Sequence, residues 1–202
     1  ARKLAHEIKN PLTPIQLTID KLKSKYSEKI ADHEKDDFSK SLLIIGKQIK
    51  QIENLVNEFS DFARMPKPIL KDNNLVSLIK DNIKLINELD NEIIIDLKSS
   101  KSNILLNCDS EQLSRVFFNL IKNSIESIQD KKIDNVNLIG KIDISINENE
   151  ELINFIIIDN GLGFGIFENN IKDILNPYFT TKKNGTGLGL SIVNKIINDH
   201  NG

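Results

Sequence analysis

One cysteine, Cys108, is all the thiol chemistry that this chain of 202 residues carries. It excludes an internal disulfide and any thiolate metal cluster, and it fits a reducing compartment. At the end of a strand-like stretch, Cys108 is expected to pack rather than react. Long hydrophobic runs are missing as well. The longest, such as residues 155–158, fall far short of the roughly 20 apolar residues that a membrane-spanning helix needs. No secretory leader is visible, and Ala1 replaces a start methionine just ahead of the first polar motif, so the chain is expected to be cut from something longer. Charge of one sign is also lacking: 27 Lys and Arg nearly cancel 29 Asp and Glu, leaving a formal net charge of -2. Without a basic surface, nucleic acid is not an expected partner. Neither an internal repeat nor a low-complexity tract interrupts the chain, although Lys, Asn and Ile are abundant.

What is present suffices for a core, since 39% of the residues are hydrophobic and the length suits one large or two small domains. Phe38, Leu42, Ile45, Ile49, Ile52, Val56 and Phe59 recur at alternating steps of four and three, the heptad seam of a long helix. Upstream, Leu4, Ile8, Pro11, Ile15, Ile19 and Leu22 form a second stripe, and the polar stretch 24–37 reads as the turn between two antiparallel helices. Two helices cannot enclose both seams, so a homodimer forming a four-helix bundle is the economical solution; packing on the rest of the same chain is the alternative. Met65-Pro66-Lys67-Pro68 ends the second helix, because proline lacks the amide donor and restricts the residue before it.

Beyond this point the pattern is mixed. It predicts a helix over 75–88, strands over 93–97 and 104–106, and a helix over 110–129. A hairpin follows, with Ile142, Ile144 and Ile146 alternating with polar residues, a turn over 147–150 and a more deeply buried strand over 152–158; a last helix begins after Gly189. The expected domains are therefore a helical hairpin at 1–64, a linker at 65–74 and an α/β unit at 75–202.

Four polar motifs lie along this frame. The first is His6-Glu7-Ile8-Lys9-Asn10-Pro11. On a helix His6 and Asn10 face away from the apolar stripe, and Glu7 could hold the proton-bearing nitrogen of the imidazole and so sharpen the other as a nucleophile. A solvated histidine beside a solvated glutamate is the plainer reading. A zinc-protease motif is excluded, since it needs a second histidine where Asn10 stands. Pro11 and Pro14 each cost this helix a backbone hydrogen bond and encourage a kink. Pro14 and Leu17 share the side of His6 and could form a docking patch.

On the 110–129 helix, Leu113, Val116, Phe117, Leu120, Ser124 and Ile128 form the apolar side; Gln112, Arg115, Asn119, Asn123 and Glu126 form the polar stripe. Asparagine is a poor helix former, yet Asn119 and Asn123, four apart, can aim amide oxygens at a hard cation such as Mg2+ and the phosphates it carries. A solvated helix face would look the same. Asp159-Asn160-Gly161-Leu162-Gly163 ends the buried strand; the Asp159 carboxylate accepts hydrogen bonds only, which suits the exocyclic amine of adenine, and an ordinary turn would also use these residues. Finally Thr180, Thr181, Lys182, Lys183 and Asn184 lead into Gly185-Thr186-Gly187-Leu188-Gly189, whose free amides open the last helix and suit phosphate. Neither a P-loop nor a protein-kinase catalytic loop exists in the sequence.

With these four motifs in this order, nearly the whole chain resembles a two-component sensor histidine kinase. The stretch from Ala1 to Leu17 is similar in particular to the nitrogen-regulation, NtrY-like branch. The resemblance implies an α+β protein: a dimeric phosphoacceptor hairpin followed by a catalytic ATP-binding domain. That domain would be an α/β sandwich of the Bergerat type, shared with gyrase, Hsp90 and MutL. By position, His6 would be the phosphoacceptor, Glu7 its general base, and Asn10 the residue that positions water when the regulator is dephosphorylated. Asn123 would ligate Mg2+, with Asn119 beside it at the phosphates. Asp159 would recognise adenine, and Gly161 and Gly163 would border the base. Phe179, Thr181, Lys182 and the loop Gly185, Thr186, Gly187, Leu188, Gly189 would belong to the ATP lid.

ATP and Mg2+ are thus the implied cofactors, and a homodimer and a response-regulator receiver domain the implied partners. The fragment is expected in the cytoplasm without direct membrane contact, its parent anchored to the bacterial inner membrane by segments outside this chain. Glu126 stands where some relatives carry a lysine, so charge neutralisation falls to Mg2+ or the lid lysines, and Gly165 replaces a frequent proline. The chain stops at His200-Asn201-Gly202, where the family continues into closing strands, so an unpaired sheet edge is expected. A dimeric scaffold without catalysis is the alternative function. An ATP-operated clamp would explain the glycine loops but not the hairpin or His6-Glu7.

Overall fold

The computed structural model describes residues 2–89, 92–150, 152–164, 171–182 and 185–202. They form two compact units, Ala1–Pro66 with Thr180–Leu188, and Lys67–Phe179 with Gly189–Gly202.

In the first unit, α1 (Arg2–Tyr26) and α2 (Asp32–Phe62) form a hairpin. The connection is shorter than the polar stretch 24–37 suggested, because lysines and acids are good enough helix formers when paired one turn apart. Lys35 meets Asp32 at 2.7 Å and Lys40 meets Asp36 at 3.1 Å, which extends α2 back to Asp32. The core is Leu12, Ile19, Leu42 and Ile49, flanked by Ile8 and Phe38. Buried positions recur every seven residues, Ala5, Leu12, Ile19 on α1 and Leu42, Ile49, Val56 on α2. The expected stripe through Pro11, Ile15 and Leu22 is therefore displaced: Pro11 is exposed and its neighbour Leu12 buried. Two helices in contact share only one narrow seam, so Ile15, Ile45, Ile52 and Leu55 stay outside it, 41–45% exposed. Despite Pro11 and Pro14, α1 is helical throughout; the Thr18 hydroxyl donates to the Pro14 carbonyl at 2.8 Å. At the far end the Ala63 amide donates to Phe59 O at 2.9 Å and α2 stops ahead of Pro66.

The second unit runs β1 (Lys71–Asn74), α3 (Leu75–Leu89), β2 (Ile93–Ser99), β3 (Leu105–Cys108), α4 (Ser110–Asp134), β4 (Gly140–Glu148), β5 (Ile153–Asp159), α5 (Ile171–Ile174) and α6 (Gly189–Asp199). A three-stranded sheet has the order β2-β4-β5, with β2 and β4 parallel and β4 and β5 antiparallel. β1 pairs antiparallel with β3 as a separate ribbon, from Lys71↔Cys108 to Asn74↔Leu105. This strand lies inside the stretch 65–74 that the sequence offered as linker. Lys71-Asp72-Asn73-Asn74 has no apolar alternation, and the partner makes the strand: Asn107 donates to Asp72 and Asn73 to Cys108 O, each at 2.9 Å.

β4 presents Ile142, Ile144 and Ile146, 0–1% exposed, on the face packed by α4. β5, expected to be deeply buried, alternates instead, with Ile156 and Ile158 45% and 62% exposed. A sheet covered on one face buries every second side chain, however apolar the strand. α4 packs against α3, α6, β4 and β5, and this central position buries Gln112, which the sequence had placed on the polar stripe. The helix is capped by Asp109, whose carboxylate accepts from the Glu111 and Gln112 amides at 3.1 and 3.0 Å and from Ile69 N at 2.9 Å.

Candidate functional site

On α1, His6, Glu7 and Asn10 are all exposed, as are Pro14 and Leu17. Helical spacing puts His6 and Asn10 one turn apart, so an imidazole is presented to solvent with a carboxylate next in sequence.

The same unit holds Thr181, Lys182, Gly185, Thr186, Gly187 and Leu188, residues the sequence assigned to the α/β unit at 75–202. They group with the hairpin instead. The Thr186 hydroxyl donates to the Glu58 carboxylate on α2, the Gly185 amide to Lys182 O at 3.2 Å, and the Lys182 amide to Thr180 Oγ1 at 3.1 Å. Leu188 is fully buried and Gly187 has φ +68°. A single glutamate on a polar helix face carries no periodic signal, so this attachment could not be read from the sequence. Lys183, Asn184 and Gly165, also singled out there, lie outside the described residues, as does any side chain at Leu4.

In the second unit four polar residues of α4 fall on one line. Asn119, Asn123, Ser127 and Lys131 follow each other at steps of four, which is one face of a helix. Asn119 and Asn123 are half-buried, and Asn119 Nδ2 donates to Arg115 O at 2.9 Å. Gly189, the first residue of α6, abuts both: a Cβ there would lie 3.5 Å from Asn119 Oδ1 and 3.9 Å from Asn123 Nδ2. The N-terminus of α6 therefore opens beside the paired carboxamides, an arrangement that suits a phosphate chain. Lys122 stands 3.9 Å from Glu126 on this helix. Among the described residues no group of three or more His, Cys, Asp or Glu could hold a metal ion. The donor set fits a divalent cation shared between a carboxamide oxygen and nucleotide phosphates, as Mg2+ prefers, and not an all-protein cage.

The opposite end of the same line meets the loop after β5. Asp159 Oδ1 accepts from the Gly161 amide at 2.9 Å. Ser127 Oγ and Ser127 O accept from the Leu162 amide at 3.0 and 3.3 Å, and Lys131 Nζ donates to Asn160 O at 2.8 Å and Gly161 O at 2.9 Å. Gly161 must be glycine, since a Cβ would lie 2.7 Å from the Ser127 carbonyl carbon and 2.8 Å from Ile128 N. Gly163 takes φ +72°, a left-handed conformation glycine adopts without strain. The Asn160 side chain completes the brace, accepting from Lys141 N and donating to Ile139 O, each at 2.9 Å. Asn119, Asn123, Asp159, Gly161 and Gly189 are thus gathered along one helix. Phe179, half-buried in the same unit, has its amide on Asn176 O at 3.2 Å, and Tyr178 before it has φ +69°.

Sequence reasoning passed over Ser127 and Lys131 and gave Asn160, within its motif, no role of its own, although continuing the Asn119 and Asn123 spacing by four and eight would have found the first two. It also passed over Asp109. Partial burial alone would push this carboxyl up, but the Ile69, Gln112 and Glu111 amides, with His200, hold it below the usual aspartate range. His200 Nε2 accepts from the Asp109 amide at 3.0 Å while Nδ1 meets Ile196 O at 2.8 Å, tying α6 to the start of α4.

Two family descriptions match the chain: "His Kinase A (phospho-acceptor) domain" over residues 1–68 and "Histidine kinase-, DNA gyrase B-, and HSP90-like ATPase" over residues 108–202. An NtrY-like sensor histidine kinase of Rickettsia felis is 37% identical over 202 residues, which is 100% of this chain and 32% of that protein. The chain thus spans about a third of the length of that relative. The nucleotide-free catalytic domain of histidine kinase ThkA is 28% identical with a TM-score of 0.55, over 65% of this chain and 81% of that one. The structure of ThkA in complex with the response regulator TrrA has a TM-score of 0.63 at 24% identity, over 100% of this chain and 54% of that one, and shares the fold.

Proposed function

Because the chain belongs to the two-component sensor histidine kinases, in their NtrY-like branch, we propose that it transfers the γ-phosphoryl group of ATP to His6 and then to an aspartate on the receiver domain of a response regulator. The observation that carries this reading is the α4 line: Asn119 and Asn123 beside the opening of α6 at Gly189, and the Asp159 loop docked on Ser127 and Lys131 of the same face. One end suits phosphates and the other suits a base.

In this reading the triphosphate lies along α4 with its base amine donating to Asp159. Asn123, with Asn119 beside it, would hold Mg2+, which would neutralise phosphate charge. A nitrogen of the exposed His6 imidazole attacks the γ-phosphorus, the bond to the β,γ-bridging oxygen breaks, and ADP leaves. Glu7 takes the proton that the imidazole loses. Phosphoryl transfer of this kind is mostly positioning and charge neutralisation, so few covalently active groups are needed. Phe179, Thr181, Lys182 and the loop from Gly185 to Gly189 act as the ATP lid. The phosphohistidine then donates to the regulator, which docks on Pro14 and Leu17; Asn10 positions water when the regulator is dephosphorylated. Ile15, Ile45 and Ile52 supply the second seam through which two hairpins associate.

Labelled phosphate incorporated from [γ-32P]ATP is the direct check. His6→Gln should abolish labelling. Asn123→Ala should lower it by about a hundredfold, as loss of a preorganised charge-stabilising contact does. Leu17→Ala should slow transfer to the regulator and leave autophosphorylation intact. Undiminished labelling in either of the first two variants rejects the role assigned to that residue.

A further inference from the structure

The last turn of α4 carries a cation for which the nucleotide reading has no use. Lys131 Nζ donates to Asn160 O at 2.8 Å and to Gly161 O at 2.9 Å. The Asn160 carbonyl and the Gly161 amide are the two ends of one peptide unit, and that amide donates to Asp159 Oδ1 at 2.9 Å. A peptide unit is planar and rigid, so fixing its oxygen fixes the direction of its N–H. The ammonium on the oxygen also polarises the unit and strengthens the hydrogen bond at the other end. One carboxylate oxygen of Asp159 is thereby committed to its own loop, and contact with a ligand falls to Oδ2.

The loop has anchors besides this lysine. Ser127 takes the Leu162 amide, Gly161 lies flush on the α4 backbone, and Asn160 spans Lys141 and Ile139. What Lys131 adds is the hold on the oxygen end of the 160–161 peptide, opposite the N–H that Asp159 accepts. Resting on the nucleotide reading above, we infer that Lys131 is a positioning residue that sets the preference for adenine over guanine, acting on Asp159 through the Asn160–Gly161 peptide. Adenine presents an amine donor where guanine presents a carbonyl acceptor. A correctly aimed carboxylate accepts from the first and repels the second, and a site built around such a bond rejects a ligand that cannot make it.

Calorimetric binding of ADP and GDP, with thermal melting in parallel, tests the inference on the 202-residue chain. Lys131→Met keeps the aliphatic stem and removes both bonds. Its affinity for ADP should fall about tenfold, the size of one charge-assisted hydrogen bond. GDP affinity should hold, so the ADP to GDP ratio drops by the same factor at a nearly unchanged melting temperature. Lys131→Arg should recover the ratio, and Lys131→Gln, able to reach one carbonyl, should fall between. An unchanged ratio in Lys131→Met, or an equal loss for both nucleotides, overturns the inference in favour of a purely structural lysine. Loss of discrimination in Asp159→Asn alone would overturn the relay and leave the nucleotide site standing. A wild-type chain that binds neither nucleotide removes the nucleotide site, and the inference with it.

Discussion

The two units use the same aliphatic residues to opposite ends. In the α/β unit Ile79, Ile104, Ile121, Ile128, Ile142, Ile144, Ile146 and Ile196 are at most 1% exposed. In the hairpin unit one core cluster joins Leu12, Ile19, Leu42 and Ile49, and Leu43, Ile44, Ile45, Ile52 and Leu55 on α2 remain 41–71% exposed. The α/β unit closes its core because sheet and helices supply facing surfaces. A pair of helices buries one seam and displays the rest. Apolar surface left open along a helix pair suits a partner helix, and the α/β unit leaves apolar surface open too, at Ile156 and Ile158 of β5, but outside its closed core.

The comparison is broken most forcefully at the sheet. Ile144→Ala should cost about 2–5 kcal/mol in denaturant unfolding of the second unit, because the site is central and cannot collapse. The matching change in the hairpin, Ile45→Asp with Ile52→Asp, should leave that transition in place and turn a dimer into a monomer by sedimentation. If the double variant stays dimeric, the exposed seam is not the interface.

A smaller effect is expected at the α4 cap, where Asp109→Ala should destabilise by about 1 kcal/mol. Its sign with pH follows from the lowered carboxyl. The contribution is fully present above the unfolded value of about 3.9 and is lost as pH falls through the lower folded value. Wild type should therefore lose stability in acid more steeply than Asp109→Asn, as read by pH-dependent melting. Smallest is Glu58→Ala, expected to cost below about 1 kcal/mol, the net value of one hydrogen bond. Faster amide exchange over residues 180–188 should accompany it, and unchanged exchange would show that Thr186–Glu58 does not hold that segment.

Periodicity located the elements well. The heptad steps marked α2, Ile142, Ile144 and Ile146 marked β4, and Pro66 marked the end of the hairpin, because side-chain spacing follows directly from local geometry. Element bounds failed where pairing decides. β1 is polar throughout and exists through β3. The turn at 27–31 shrank because lysine–aspartate pairs extend α2. Chemistry-bearing residues on α4 were visible as Asn119 and Asn123, while Ser127 and Lys131 on the same line were hidden among ordinary polar surface positions.

By itself, the order of residues determined the helices and strands other than β1 and α5, and that His6, the Asn119–Asn123 pair, Asp159 and the final glycine run stand on separate elements. Local conformation follows from composition and spacing a few residues apart, and that is within reach of a sequence. Only the tertiary structure decided that Gly189 meets both asparagines, that the Asp159 loop rests on Ser127 and Lys131, and that Thr186 belongs with Glu58. Those contacts join residues from 29 to 128 positions apart, and only the packing of whole elements brings such pairs within hydrogen-bonding reach.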